Sequence, residues 1–195
     1  MDKLILASNS PRRKEILEKF KIPFSIKSST YKEIFTNEKP EAQVLKLSKG
    51  KIQALLELNP ELKSSLILGA DTCIDLDGNI IGKPDTKKEA KEFLVSFSGR
   101  SHKVITGLTL YNGKDSTYTQ CKSITLVNFA KLTEEEINWY LNTNEWRGAA
   151  GGYKIQEQGY LLTNSISGSW YNVLGLPIRL FYGMVASQGI RLFKL

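Results

Sequence analysis

The chain has 195 residues, 41% of them hydrophobic and 24% charged, and a formal net charge of +7, an ordinary composition with enough length for one domain over residues 1–195 to bury a sizeable core. No apolar run is long enough to cross a bilayer and the apolar stretch at Leu4 is too short for a secretory signal, so a cytoplasmic protein with no membrane partner is expected. Two distant cysteines, Cys73 and Cys121, and a single histidine, His102, exclude a zinc site built from His and Cys, while the positive charge asks for an anionic partner.

In chain order, the apolar strand Leu4-Ile5-Leu6-Ala7 runs into Ser8-Asn9-Ser10-Pro11-Arg12-Arg13 and then into an amphipathic helix. Ser10 stands where an N-cap belongs, and Pro11 fits the first helical position. The free N–H groups and the positive helix dipole favour a phosphate there. Two arginines oppose that dipole and ask for a compensating negative group; the plainer alternative is a capped helix with solvated arginines. Pro23 to Ile26 reads as a strand, residues 28–39 as a polar loop containing Glu33, and Glu41 to Leu58 as a helix.

Ser65 to Leu68 reads as a strand ending in Gly69-Ala70-Asp71-Thr72, and Asp77-Gly78 as a hairpin turn. Thr86 with Glu89, and Thr133 with Glu136, make capping boxes for helices through Phe97 and Leu141. Between them, two long strands, 103–111 and 122–129, flank the Asn112-Gly113 turn. Gly148 to Gly152 is a small-residue loop, followed by short strands at 153–156 and 160–162. Gly175-Leu176-Pro177 opens a last helix reaching about Ala186. This alternation predicts an α/β or α+β unit.

Asp71 is the strongest carboxylate candidate, because ligand sites in α/β sheets gather at strand C-termini; capping its own turn is the alternative. Lys83 lies between Gly82 and Pro84, a residue that restrains its backbone. With Arg12, Arg13, Lys51 and Glu33, these make four cations and two carboxylates, the balance a magnesium nucleoside triphosphate asks for. No Walker A or GxGxxG string is present, which argues against P-loop and Rossmann modes. The lysines at 49–51 and 87–88 are interleaved with acidic and apolar residues and read as a solvated face, so no stable nucleic-acid partner is expected. Cys73 and Cys121 read as small core residues, and His102 as a hydrogen-bonding group. Trp170-Tyr171-Asn172 is kept open as a base-pocket or dimer element.

Leu-Ile-Leu-Ala-Ser-Asn-Ser-Pro-Arg-Arg at 4–13, Gly-Ala-Asp-Thr at 69–72, Gly-Lys-Pro at 82–84, Ser-Gly-Arg-Ser-His-Lys-Val-Ile-Thr-Gly at 98–107, Gly-Gly-Tyr-Lys-Ile-Gln at 151–156 and Gly-Ser-Trp-Tyr-Asn-Val-Leu-Gly-Leu-Pro at 168–177 together resemble the Maf family. The resemblance implies a nucleoside triphosphate pyrophosphatase that cleaves between the α and β phosphates with a divalent cation, Mg or Mn. It implies an α/β fold with a central mixed, twisted sheet flanked by helices, two lobes around a deep cleft, similar to the inosine triphosphatases, commonly as a homodimer. By motif match Asp71 takes the place of the proton acceptor. Ser8, Arg12, Arg13, Glu33, Lys51, Lys83 and Gln156 match cleft positions, and Arg12, Thr72 and Gln156 match positions associated with substrate choice.

On this resemblance Ser8, Ser10, Arg12 and Arg13 hold the triphosphate, Lys51 and Lys83 neutralise the leaving pyrophosphate, and Glu33 and Asp71 hold the metal. Tyr-x-Ile-Gln at 153–156 looks like the branch acting on dTTP and UTP, whereas Trp146 to Ala150 departs from that branch's commonest pattern. A pyrophosphatase for 7-methyl-GTP or other modified nucleotides, and a non-catalytic basic regulator of cell division, are the alternatives.

Overall fold

In a computed structural model of the protein, residues 4–28, 31, 34 and 38–192 are described. The apolar run at the start forms β1 (Leu4–Leu6), then α1 (Pro11–Lys19), β2 (Phe24–Ile26) and α2 (Pro40–Leu58). There follow β3 (Leu66–Leu76), β4 (Asn79–Ile81), α3 (Lys87–Phe97), β5 (Ser101–Asn112) and β6 (Thr117–Phe129). The chain closes with α4 (Glu134–Asn142), β7 (Thr163–Ser167), α5 (Trp170–Val173) and α6 (Ile178–Ser187). The strands make one seven-stranded sheet in the order β2-β1-β3-β5-β6-β7, with β4 also on β3. β2, β1 and β3 are parallel, while β3 with β4, and β3 through β7, pair antiparallel. This is an α/β unit, as the alternation predicts, with the mixed central sheet flanked by helices that the resemblance implies. Among the described residues no helix is long and apolar enough to cross a membrane.

One edge of β3 decides where a ligand can enter. β5 pairs with β3 over most of its length, Leu66 through Asp75. On the other edge, β1 pairs only with Ile67 and Leu68, and β4 only with Ile74, Asp75 and Leu76. Between those two neighbours, no strand pairs with the edge at Gly69–Cys73 among the described residues, so the sheet is split there. Asp71 therefore lies mid-strand, at the split, and not at the strand end that the sequence suggests. β3 continues past Thr72 because β5 and the β4 hairpin supply partners that no local pattern announces. At the hairpin turn, Asp77 (φ 53°) and Gly78 (φ 86°) both take the left-handed conformation of a type I′ turn.

The helix α2 covers the face of β3 that carries Gly69 and Asp71. A Cβ at Gly69 would lie 2.3 Å from the Ser48 carbonyl oxygen, and one at Gly107 would lie 2.6 Å from the Val44 carbonyl. Two glycines thus let α2 rest directly on the sheet backbone. On the opposite face, Leu4, Leu6, Leu68, Leu110 and Phe181 form one core cluster under α1 and α6. Leu94, Phe97, Val127, Tyr140 and Tyr153 form a second under α3 and α4.

The region 153–162 differs from expectation. Residues 155–157 form a turn and Gln158–Leu162 a 3-10 helix, with the strand displaced to Thr163–Ser167. Tyr153 and Ile155 are β-type residues buried in the second cluster without a ladder partner, so burial and not pairing accounts for their apolar pattern.

Candidate functional site

The split opens into a cleft of two joined chambers. The inner one, of about 350 Å³, is reached by Asp71, Thr72 and Cys73 of β3, by Lys83, and by an apolar wall including Ile74, Ile81, Val104, Ile155 and Leu174. The outer one, of about 620 Å³, is lined by Ala7 to Arg13, with Arg147, Lys154 and Glu157 also on its walls. Ser10, Arg12, Arg13, Lys51, Lys83 and Gln156 line both. Of the residues predicted from sequence, Asp71, Lys83, Ser8, Ser10, Arg12, Arg13, Lys51, Thr72 and Gln156 are all brought to this cleft. Glu33 lies outside the described residues.

Asp71 and Thr72 point to opposite faces of β3 yet reach one chamber because the sheet edge between them is open. On the α2 face, Lys51 Nζ lies 2.5 Å from Asp71 Oδ1 and 3.4 Å from the Ala70 carbonyl oxygen. Their side chains are only 12% and 8% exposed. The sequence places Lys51 on the leaving group; the structure places it first on the central carboxylate.

The two arginines of the first helical turn part company. Arg13 is buried. Its Nε donates to the Gly175 carbonyl (2.9 Å), one terminal nitrogen to Ser8 Oγ (2.9 Å) and the other to Thr72 Oγ1 (3.1 Å). It ties the β1–α1 turn, β3 and the α5–α6 connection together through these three bonds. Arg12 has no hydrogen bond or ion pair among the described residues; burial lowers its pKa, and Glu15 and then Tyr153 pull it back. Ser10 stands at the N-cap but its side chain makes no capping bond. Its N–H instead donates to Ser8 Oγ at 3.3 Å.

Gln156 brings the clearest orphan: its Oε1 is buried with no hydrogen-bond partner among the described residues, an arrangement that costs of order 1–3 kcal/mol unless a ligand supplies a donor. Lys83 is exposed at the rim and likewise has no partner among the described residues. Cys73, beneath the inner chamber, has its thiol pushed up to about 12 by burial, with Asp71 and Asp75 adding to it, and stays protonated. Trp170 packs edge-on against Tyr160, and Tyr171 against Phe20, so neither reaches the cleft. Val173, Leu174 and Gly175 just after them do.

Behind the inner wall, His102 Nε2 meets the Tyr153 hydroxyl at 2.8 Å. Burial pulls His102 from its ordinary 6.5 down to about 4. Between those values the unfolded chain binds the proton and the folded one does not, so this contribution to stability is complete above pH 6.5 and is lost as pH falls. Wild-type protein is therefore expected to lose about 2 kcal/mol more between pH 7 and pH 5 than a His102→Gln variant, read by urea unfolding at the two pH values.

Sequence reasoning missed Arg147 and Lys154. Lys154 is the variable position of Tyr-x-Ile-Gln and Arg147 lies in the segment that departs from the branch pattern, so neither string marks a cation, and the turns around Ala150–Gly152 bring both to the chamber that Ser8–Arg13 line. With them, the outer chamber is lined by the cations Arg12, Arg13, Lys51, Lys83, Arg147 and Lys154 against the carboxylates Glu15 and Glu157. Such a surfeit of positive charge suits a polyanion.

A model of the Maf family, described as "Maf-like protein", matches residues 3–188. The chain belongs to the Maf family. A dTTP/UTP pyrophosphatase of Bacillus cytotoxicus is 44% identical over 179 residues, covering 91% of each chain. One from Pyrococcus furiosus is 39% identical over 178 residues, again covering 91% of each. One from Symbiobacterium thermophilum is 39% identical over 194 residues, covering 99% of this chain and 97% of its own. Among solved structures, a nucleoside-triphosphatase (dITP/XTP pyrophosphatase) from Mycobacterium abscessus aligns with a TM-score of 0.41 at 12% identity, covering 66% of this chain and 74% of its own.

Proposed function

We propose that the protein is a nucleoside triphosphate pyrophosphatase, a hydrolase that cleaves the α–β phosphoanhydride of dTTP and UTP to the monophosphate and pyrophosphate. The observation that carries this reading is that the inner chamber, with its apolar wall and Asp71, opens across Lys51, Lys83 and Gln156 into a cationic outer one. The relatives named dTTP/UTP pyrophosphatase support the choice of nucleotide.

In this reading the base enters the inner chamber against Ile81 and Leu174. The Gln156 amide faces the imide edge of uracil or thymine: Oε1, buried and unpartnered, accepts the ring N–H, while the amide nitrogen donates to a ring carbonyl. The triphosphate runs into the outer chamber, where Arg12 and Lys83 meet it. In the inner chamber, beside the shared Lys51, the Asp71 carboxylate orients water and accepts its proton as the water oxygen bonds to the α phosphorus and the bond to the bridging oxygen breaks. Lys83 balances the charge gathering on the departing pyrophosphate, while Lys51 holds the Asp71 carboxylate.

The donor set suits magnesium or manganese. Among the described residues no group of three or more His, Cys, Asp or Glu side chains could hold a metal, whereas Asp71 offers a hard carboxylate oxygen beside a phosphate cleft, the usual shared site for these ions. Asp71, with Glu33 as the resemblance implies, would hold the cation, which when bound neutralises phosphate charge and acidifies water. The same reading extends to a cytoplasmic homodimer, which sedimentation of the purified protein distinguishes from a monomer.

Incubating the protein with each nucleoside triphosphate and Mg or Mn and measuring pyrophosphate tests the proposal. Turnover of dTTP and UTP that chelation of the metal abolishes is the expected result. Preference for 7-methyl-GTP would overturn the nucleotide choice, and no pyrophosphate from any nucleotide would favour a non-catalytic regulator.

A further inference from the structure

A triphosphate brings about four negative charges, and the cations that the sequence supplies do not all remain available to meet them. Arg13 gives its donors to Ser8, Thr72 and Gly175, and Lys51 is paired with Asp71. That leaves Arg12 and Lys83 without a partner among the described residues. Two further cations stand on the outer chamber, away from the inner one: Arg147 and Lys154.

Both are held by the C-terminal end of α4. Arg147 lies over the Trp146 ring, its guanidinium carbon 4.8 Å from the centroid, and its Nε reaches Asn144 Oδ1 at 3.5 Å. Trp146 is itself buried and donates from Nε1 to the Leu141 carbonyl at 3.2 Å. Stacking on a fixed indole presents the guanidinium with part of its entropy already lost. The Lys154 backbone N–H donates to the Tyr140 hydroxyl at 2.9 Å, while its ammonium has no partner among the described residues.

We propose that Arg147 and Lys154 form a second cationic wall, facing the Ser8–Arg13 turn, that grips the β and γ phosphates and makes the cleft select a triphosphate over a monophosphate. This rests on the reading of the cleft as a nucleoside triphosphate site. The inner chamber then recognises the base and α phosphate, and the outer wall counts the remaining phosphates. These residues bind the part of the substrate that becomes pyrophosphate, so their loss acts on KM more than on kcat.

Calorimetric titration of wild type, Arg147→Gln, Lys154→Gln and the double variant with inorganic tripolyphosphate and with dTMP tests the proposal, alongside KM and kcat for dTTP. Tripolyphosphate is expected to bind about 5–10-fold more weakly to each single variant and about 50-fold more weakly to the double. dTMP affinity should change less than twofold, the KM for dTTP should rise in step with the tripolyphosphate Kd, and Arg147→Lys should recover part of the loss. Unchanged tripolyphosphate binding in the double variant, an equal loss for dTMP, or no tripolyphosphate binding by the wild type would each overturn the assignment. The tripolyphosphate titration decides the point even if the wild type releases no pyrophosphate, in which case the proposed activity fails separately.

Discussion

Replacing Asp71 by Asn is expected to lower kcat for dTTP about a thousandfold, close to 4 kcal/mol of transition-state stabilisation, in a protein that still folds and binds nucleotide. The amide keeps the size of the carboxylate and retains an oxygen for the Lys51 ammonium, which lies 2.5 Å away. What disappears is the negative charge and the ability to take a proton. Lys51, 12% exposed, loses its Asp71 counter-charge, so a fall of several degrees in Tm accompanies the change. A second substitution, Lys51→Met in the Asp71→Asn background, should restore much of that fall without restoring turnover. Pyrophosphate release gives kcat, and the rise in Tm on adding dTTP shows that binding survives. A variant whose kcat stays within tenfold of wild type would remove Asp71 from the centre of the mechanism.

The largest effect on stability is expected at Gly69. A Cβ there would sit 2.3 Å from the Ser48 carbonyl oxygen and 2.9 Å from the Ile52 side chain. Neither can yield cheaply, because one is helix backbone and the other is fully buried. Gly69→Ala should therefore destabilise the protein by about 3 kcal/mol or more, at the upper end of overpacking effects. Lys51 follows Ser48 by nearly one turn of α2, so a helix pushed off the sheet also draws Lys51 from Asp71, and activity should fall at temperatures where the variant remains folded. Gly183→Ala is the contrasting substitution. It lies inside α6, and nothing stands within 4 Å of its added Cβ, so stability should hold or rise by up to about 1 kcal/mol. Urea unfolding of both variants measures the difference, and equal effects would remove the close approach of α2 as the reason for Gly69.

Much of the fold was legible because its signals are local. Thr133 and Glu136 form both halves of the expected capping box. At the other helix Thr86 Oγ1 accepts from the Glu89 N–H, while the Glu89 carboxylate turns to the Asp85 N–H. The site was legible as a set of residues through the ordered motifs, but not as an arrangement. Arg12 and Arg13 are neighbours of identical chemistry, and both line the cleft, but the rotation of about 100° per residue along a helix buries one against Ser8, Thr72 and Gly175 and leaves the other without a partner among the described residues. Nothing local distinguishes them. The mid-strand place of Asp71 depends on β5 pairing with β3 from more than thirty residues away. Arg147 and Lys154 meet the first helix only through the tertiary path of an irregular segment.

The open stretch of β3 at Gly69–Cys73 carries one more consequence. A bare strand edge is normally a hazard, since its free amides and carbonyls invite a strand of another molecule and so begin aggregation. Here β1 occupies the edge at Leu68 and β4 at Ile74, leaving five residues of backbone stopped at both ends. An extended peptide laid along that edge would collide with one neighbour or the other before a stable ladder could form. The protein thus keeps this short edge inside its cleft, where Lys51 Nζ lies 3.4 Å from the Ala70 carbonyl oxygen, and denies it to other polypeptides.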